Sequence, residues 1–178
     1  MKLDQRMQAI RMILSDVDGV LTDGGIYYDN QGVETKRFHV RDGLGIKLWQ
    51  KAGHQFGILT ARNSHIVKVR ATELNIAIVR QGFSEKLPAA QQIIAENNLK
   101  PENVCYIGDD LPDLAVMQNV GMAIAVADAA PEVRAIAHMT TKTSGGQGAV
   151  RELIESILTS QKRWSELMNQ YGNNTIAS

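Results

Sequence analysis

"MILSDVDGVLTDGG", residues 12–25, decides how this chain is read. Met12, Ile13, Leu14 and Ser15 are apolar or small, and two carboxylates one residue apart, Asp16 and Asp18, follow at once with Gly19 behind them. Alone, two acids and a glycine could simply be a turn, where Asp and Gly are common, and only acids and a lysine further along the chain make chemistry the stronger reading. Gly19 lets the backbone turn sharply and approach a ligand. Whether the strand continues or breaks there, the acids stay close enough for one to attack while its neighbour handles a proton.

Outward from this stretch, short Ile- and Val-rich runs alternate with helix-length amphipathic segments, the pattern of a parallel sheet covered on both faces. Six strands are expected: residues 10–16, 55–60, 76–80, 103–108, 122–126 and 138–141. Helical patterns lie near 43–52, 64–74, 86–97, 111–119 and 132–137, with a long last one from Gly148 to about Met168. One insertion breaks the alternation. In "GGIYYDNQGVETKRFHV", residues 24–40, two extended runs flank "DNQG" and read as a β-hairpin. Strand alternation puts Ile26 with Tyr28, and Phe38 with Val40, on faces that need a cover, because an isolated ribbon is marginal in water.

Composition narrows the function classes. The 178 residues, 44% hydrophobic, suit a single domain spanning 1–178. Nineteen basic and nineteen acidic residues cancel, so no overall field favours nucleic acid or an anionic membrane. The single Cys105, inside an apolar strand, reads as core, and the four histidines lack ligand spacing for zinc. The N-terminus has no apolar run fit for a signal peptide or membrane span, so a cytoplasmic protein is expected. Residues 171–178 read as a flexible tail.

In open parallel sheets the ligand crevice lies beyond the carboxyl ends of the strands. Asp16 and Asp18, Thr60, Lys86 and the cluster "GDDLPD" with Asp109, Asp110 and Asp113 all fall at or just past such ends. Carboxylates this crowded repel unless a cation joins them, and Mg²⁺ suits carboxylate oxygens, waters and a substrate phosphate. Thr60 and Lys86 suit the oxygens of a transferring phosphoryl group. Asp42 reads as the N-cap of the helix from Gly43 and as part of the "HVRDG" turn, and "GGQG", residues 145–148, as a connection into the last helix.

"DVDGVLT" with Thr60, Lys86 and "GDDLPD" resembles the four motifs of the haloacid dehalogenase superfamily in its phosphatase form. The resemblance implies a doubly wound, Rossmann-like α/β fold without a cap domain, since the space between motifs holds only the hairpin. It implies Asp16 as nucleophile and metal ligand, Asp18 as acid/base lending its backbone carbonyl to Mg²⁺, Asp109 as the third protein ligand, and Asp110 and Asp113 as supporting acids. Within the superfamily, "FHVRDGLGIK", "LTARNSHIVKVRATELNI", "VADAAPEV" and "GGQGAVRE" are similar to the 3-deoxy-D-manno-octulosonate 8-phosphate (KDO 8-phosphate) phosphatases of lipopolysaccharide synthesis. That similarity implies a small sugar phosphate as substrate, with His39, Val40, Arg41, Asp42, Gly43, Lys47, Arg62 and Arg70 joining Asp18 and Lys86 around it. It also implies a homotetramer assembled through the hairpins. The alternatives are a nine-carbon ulosonic acid phosphate as substrate or, in another class, a signalling receiver module. A receiver would carry its acceptor acid after the third strand, where this chain offers only "RQGFSEK".

Overall fold

The computed structural model describes residues 2–172. Helix α1 (Leu3–Ala9) leads into strand β1 (Met12–Ser15), and the hairpin strands β2 (Tyr27–Tyr28) and β3 (Glu34–Thr35) follow. Then come α2 (Val40–Lys51), β4 (Gln55–Thr60), α3 (His65–Glu73), β5 (Ile78–Gln81) and α4 (Lys86–Glu96). The chain continues through β6 (Val104–Gly108), a 3₁₀ turn (Leu111–Asp113), α5 (Leu114–Met117), β7 (Met122–Ala125), α6 (Pro131–Ile136), β8 (Met139–Thr140), α7 (Ala149–Ser160) and α8 (Trp164–Gly172). No helix among the described residues is long and apolar enough to cross a membrane.

The six-stranded sheet runs β5-β4-β1-β6-β7-β8, every pair parallel. Parallel strands need crossovers, and helices on both faces bury every residue of β1, β6 and β7, which is why those runs are apolar without alternation. Met12, Ile13 and Leu14 have no exposed surface. The chain leaves β1 toward β4 and β5, then returns through β6 to the other side of β1. The strand order therefore reverses between β1 and β6, and a crevice opens past their carboxyl ends.

Helix ends explain what was readable and what was not. Helices α2, α3 and α4 stop on Gly53, Asn75 and Asn98, all with positive φ, each closed by a backbone bond from the next residue to the last turn. Gly and Asn advertise that left-handed stop. The expected long last helix is instead two, α7 and α8, because Lys162 takes the same conformation (φ 59°). Arg163 N donates to Leu158 O at 2.8 Å and Lys162 N to Thr159 O at 2.9 Å, closing the motif on a residue that does not announce it.

Other expectations shift. Helix α1 was not anticipated. Helix α2 begins three residues before Gly43, its N-cap is His39, whose ring accepts from Arg41 N at 3.3 Å, and Asp42 sits inside its first turn. The segment expected as a helix over 111–119 is a 3₁₀ turn followed by the four-residue α5, with Pro112 at the start of the turn. The hairpin forms with two residue pairs, Tyr27 with Thr35 and Tyr28 with Glu34. Ile26, Tyr28 and Val40 are exposed, whereas Phe38 packs against the core of its own chain under the Arg70 guanidinium, 5.7 Å from the ring centre. Residues 173–178, most of the expected tail, lie outside the described residues.

Candidate active site

Strand β1 delivers Asp16 one residue past its last pairing, where Asp16 N donates to Ile107 O of β6 at 3.1 Å. Across the switch point β6 delivers Gly108 and Asp109. The two acids meet because Gly19 adopts φ 88° in the intervening loop, and a Cβ there would lie 2.0 Å from Asp109 Oδ2. A side chain at Gly19 would strain that backbone and displace the Asp109 carboxylate. The loop is braced from behind by Gly145 and Gly146. Gly146 N donates to Val20 O at 2.9 Å, and a Cβ on Gly145 would strike Gly19 O at 1.8 Å. "GGQG" is thus a buried backbone-to-backbone brace and not merely a connection.

Lys86, the first residue of α4, is buried between two acids. Its Nζ lies 2.7 Å from Asp16 Oδ2 and 2.7 Å from Asp113 Oδ1. Tyr106 OH donates to the same Asp113 oxygen at 2.6 Å, while Asp109 N and Asp110 N donate to Asp113 Oδ2 at 2.9 and 3.3 Å. One carboxylate oxygen from each of Asp16, Asp109 and Asp113 lies within 4.8 Å of the others. Asp113 is already saturated by four donors, so its task is to hold Lys86 and the Asp109 loop. Asp110 is exposed and caps the 3₁₀ turn, accepting from Leu111 N at 2.8 Å.

Electrostatics single out the remaining pair. Burial, then the Asp113 charge, raise Asp16 to about 6 against the opposing pull of Lys86. Burial, then Asp113, Asp16 and Asp110, push Asp109 up to about 8. Burial alone would lower Lys86, but the charges of Asp16 and Asp113 outweigh it and the ammonium is held above its usual value. Asp109 Oδ1 is buried with no hydrogen-bond partner among the described residues. Two crowded carboxylates with an orphaned oxygen and an all-oxygen donor set fit a hard divalent cation.

Asp18 faces the other way, toward the hairpin. Lys36 Nζ contacts Asp18 Oδ1, and Arg62 Nε lies 3.8 Å from Asp18 Oδ2. Glu34 joins both cations, 3.4 Å from Lys36 and 3.0 Å from Arg62, and accepts from Ser64 Oγ at 2.7 Å. Thr60 ends β4 buried at this edge.

The remaining candidates are placed less uniformly. Asp42 is buried and accepts from Arg151 N at 2.8 Å, so it caps the neighbouring helix α7 instead of its own and does not open on the crevice. Arg70 pairs with Glu73 at 3.1 Å and covers Phe38, with Gly43 packed beneath it. Arg41 and Lys47 are exposed on α2, and none of Arg41, Lys47 and Arg70 bonds or pairs with the acidic cluster among the described residues. Sequence reasoning missed Tyr106, Glu34 and Lys36. Period-two alternation would have put Glu34, Lys36 and Phe38 on one face of the hairpin arm, and the half-buried Phe38 marks that face as inward.

Residues 64–154 match the haloacid dehalogenase-like hydrolase family. A 3-deoxy-D-manno-octulosonate 8-phosphate phosphatase from Yersinia pestis is 45% identical over 159 residues, covering 89% of this chain and 85% of that protein. The crystal structure of the phosphatase of that name from Moraxella catarrhalis, in complex with magnesium, phosphate and a KDO molecule, superposes with a TM-score of 0.93 at 38% identity, covering 94% of this chain and 97% of that one. A cobalt-bound structure of the corresponding Haemophilus influenzae phosphatase gives a TM-score of 0.88 at 40% identity, covering 90% and 94%.

Proposed function

The chain belongs to the haloacid dehalogenase-like hydrolases, and from that premise we propose that it hydrolyses KDO 8-phosphate to KDO and phosphate with Mg²⁺ as cofactor. The observation that carries the reading is the Asp16–Lys86–Asp113 chain beside the unpartnered Asp109 oxygen. Asp16, Asp109 and the backbone carbonyl of Asp18 would hold the ion. Bound there, Mg²⁺ supplies positive charge that relieves the carboxylate crowding and withdraws electron density from the phosphoryl group.

The residues do the rest in two steps. A carboxylate oxygen of Asp16 attacks phosphorus, the bond from phosphorus to the sugar oxygen breaks, and protonated Asp18 gives its proton to the departing alkoxide. Asp18, now ionised, takes a proton from water as that water attacks phosphorus, releasing phosphate and restoring Asp16. Lys86 and the Thr60 hydroxyl steady the equatorial oxygens as charge spreads over them, and Asp113 and Tyr106 keep Lys86 aimed. A phospho-acceptor that stored its phosphoryl group would be poorly served by Asp18 beside it, and the relatives do not favour a receiver module.

The same reading includes a cytoplasmic homotetramer. A capless site stands open to water, and Ile26, Tyr28, Val33 and Val40 present apolar surface on and beside the hairpin. Packing these faces around a closed symmetry axis covers them and walls each site with a neighbour. Arg70, Arg41 and Lys47, which do not reach their own acidic cluster, would then face a neighbour's substrate. Phosphate release from KDO 8-phosphate, a nine-carbon ulosonate phosphate and a neutral aryl phosphate, each with Mg²⁺ and with chelator, tests the function. Metal-dependent preference for the eight-carbon ester is expected, and no preference for a carboxylate-bearing sugar phosphate would contradict it.

A further inference from the structure

The Asp18 surroundings contain a residue for which the mechanism above has no task. Lys36 leaves only 2% of its side chain exposed although it directly follows the second strand of a two-pair ribbon on the surface. A buried ammonium is expensive without partners, and this one has two, Asp18 and Glu34. Both oxygens of Glu34 are engaged, by Arg62 and Lys36 on one and by Ser64 on the other. The Arg62 side chain is 40% exposed, so the inner end of this network is Lys36 on Asp18. Asp18 Oδ1 is thereby tethered, and Oδ2 makes no hydrogen bond among the described residues, its nearest cation being Arg62 at 3.8 Å. One oxygen of the carboxylate is fixed and the other is left for reactants.

Resting on the proposed role of Asp18, we infer that Lys36 is a positioning residue that sets the rotamer of Asp18 for proton delivery to the leaving oxygen. Proton transfer needs donor and acceptor within hydrogen-bond reach, and a carboxylate hinged only at Cβ next to Gly19 sweeps a wide arc without a tether. The hairpin supplies that tether from the chain's own ribbon, so docking the hairpin and orienting the Asp18 carboxyl are one event. Glu34 keeps Lys36 and Arg62 from competing for the same Asp18 oxygen by holding both.

The leaving group separates this role from a structural one. An alkoxide departs only with a proton, whereas 4-nitrophenolate departs readily without one. Lys36→Met keeps the buried stem and removes the ammonium. Its kcat/KM should fall about 100-fold on the sugar phosphate, the scale of a misplacement near 1 Å, and no more than a few-fold on 4-nitrophenyl phosphate, with KM little changed. Lys36→Arg should restore most of the loss. Glu34→Gln, a milder change that preserves packing, should give the same leaving-group signature at smaller size, and it serves if Lys36→Met fails to fold. Equal losses on both esters in the variants that fold, or no loss on the sugar phosphate, would overturn the inference. If the wild-type enzyme instead prefers a different alkyl phosphate, the substrate reading fails alone, and the same variants compared on that ester still decide the role of Lys36.

Discussion

Lys86 and Lys36 each carry an ammonium out of water beside one acid of the Asp16–Asp18 pair, with 1% and 2% of their side chains exposed, and what stands behind each is different. Behind Lys86 is the sheet: Asp113 with no exposed surface, Tyr106 within β6, and two backbone amides. Behind Lys36 is a ribbon of two residue pairs whose outer side chains lie open to solvent. Asp16, the proposed nucleophile, is thus held by the fold of one chain. Asp18, the proposed acid/base, is held from an element too small to be stable by itself. Phosphoryl chemistry and its proton supply are therefore separately breakable.

The largest difference should come from cutting both lysines to methionine. Lys86→Met strands Asp16 and Asp113 in the core, which should cost about 3–5 kcal/mol in urea unfolding of the metal-free protein and remove activity on every ester. Lys36→Met leaves Asp18, 22% exposed, able to take up water, and should cost about 1 kcal/mol or less. Equal destabilisation would erase the contrast. Next in size, Tyr28→Asp places a charge on the exposed hairpin face. Sedimentation should show the proposed tetramer dissociating relative to wild type, with sugar phosphatase activity reduced more than aryl phosphatase activity; an unchanged assembly would remove the hairpin from that role.

A smaller effect concerns the acids themselves. Without the metal, burial and then the Asp113 charge raise Asp109 to about 8 and Asp16 to about 6, above their value in the unfolded chain, so the folded state binds these protons more tightly. Stability from this source is present in full below the unfolded value near 3.8 and is lost as pH rises through 6 and 8. Mg²⁺ replaces the protons, so its thermal shift should be larger at pH 9 than at pH 6. A shift that shrinks with rising pH would place the ion elsewhere. The smallest expected effect lies far from both lysines: Lys162→Gly relieves the left-handed residue between α7 and α8 and should stabilise by about 1 kcal/mol, read as a higher Tm with unchanged activity.

Legibility in the sequence divides along the same line. The sheet and its acids were readable because parallel strands buried on both faces are continuous apolar runs, and Asp16, Thr60, Lys86 and Asp109 stand at or just after their ends. The residues 55–60 form the expected strand without adjustment. Helix stops at Gly53, Asn75 and Asn98 were equally open to reading, whereas Lys162 hid the break that separates α7 from α8. Contacts between distant loops were not readable at all. Asp42 looked like a cap for the helix it stands in, and only folding shows it serving α7, more than a hundred residues on. Gly145 looked like a linker until Gly19 O came against it. Lys36 lay in a stretch whose apolar residues drew the attention, and its burial depends on Asp18 and Glu34 arriving together.

The proposed mechanism requires that Asp16 carry the phosphoryl group. Asp18→Asn should slow breakdown of the intermediate, which needs a base to activate water, more than its formation from an ester whose leaving group departs without a proton, so the variant mixed with Mg²⁺ and ³²P-labelled 4-nitrophenyl phosphate, then acid-quenched, should retain label on the protein. Hydroxylamine-sensitive label is expected on the peptide containing Asp16, and none when Asp16 is also changed to Asn. Label on another residue, or turnover that persists in Asp16→Asn, would contradict it.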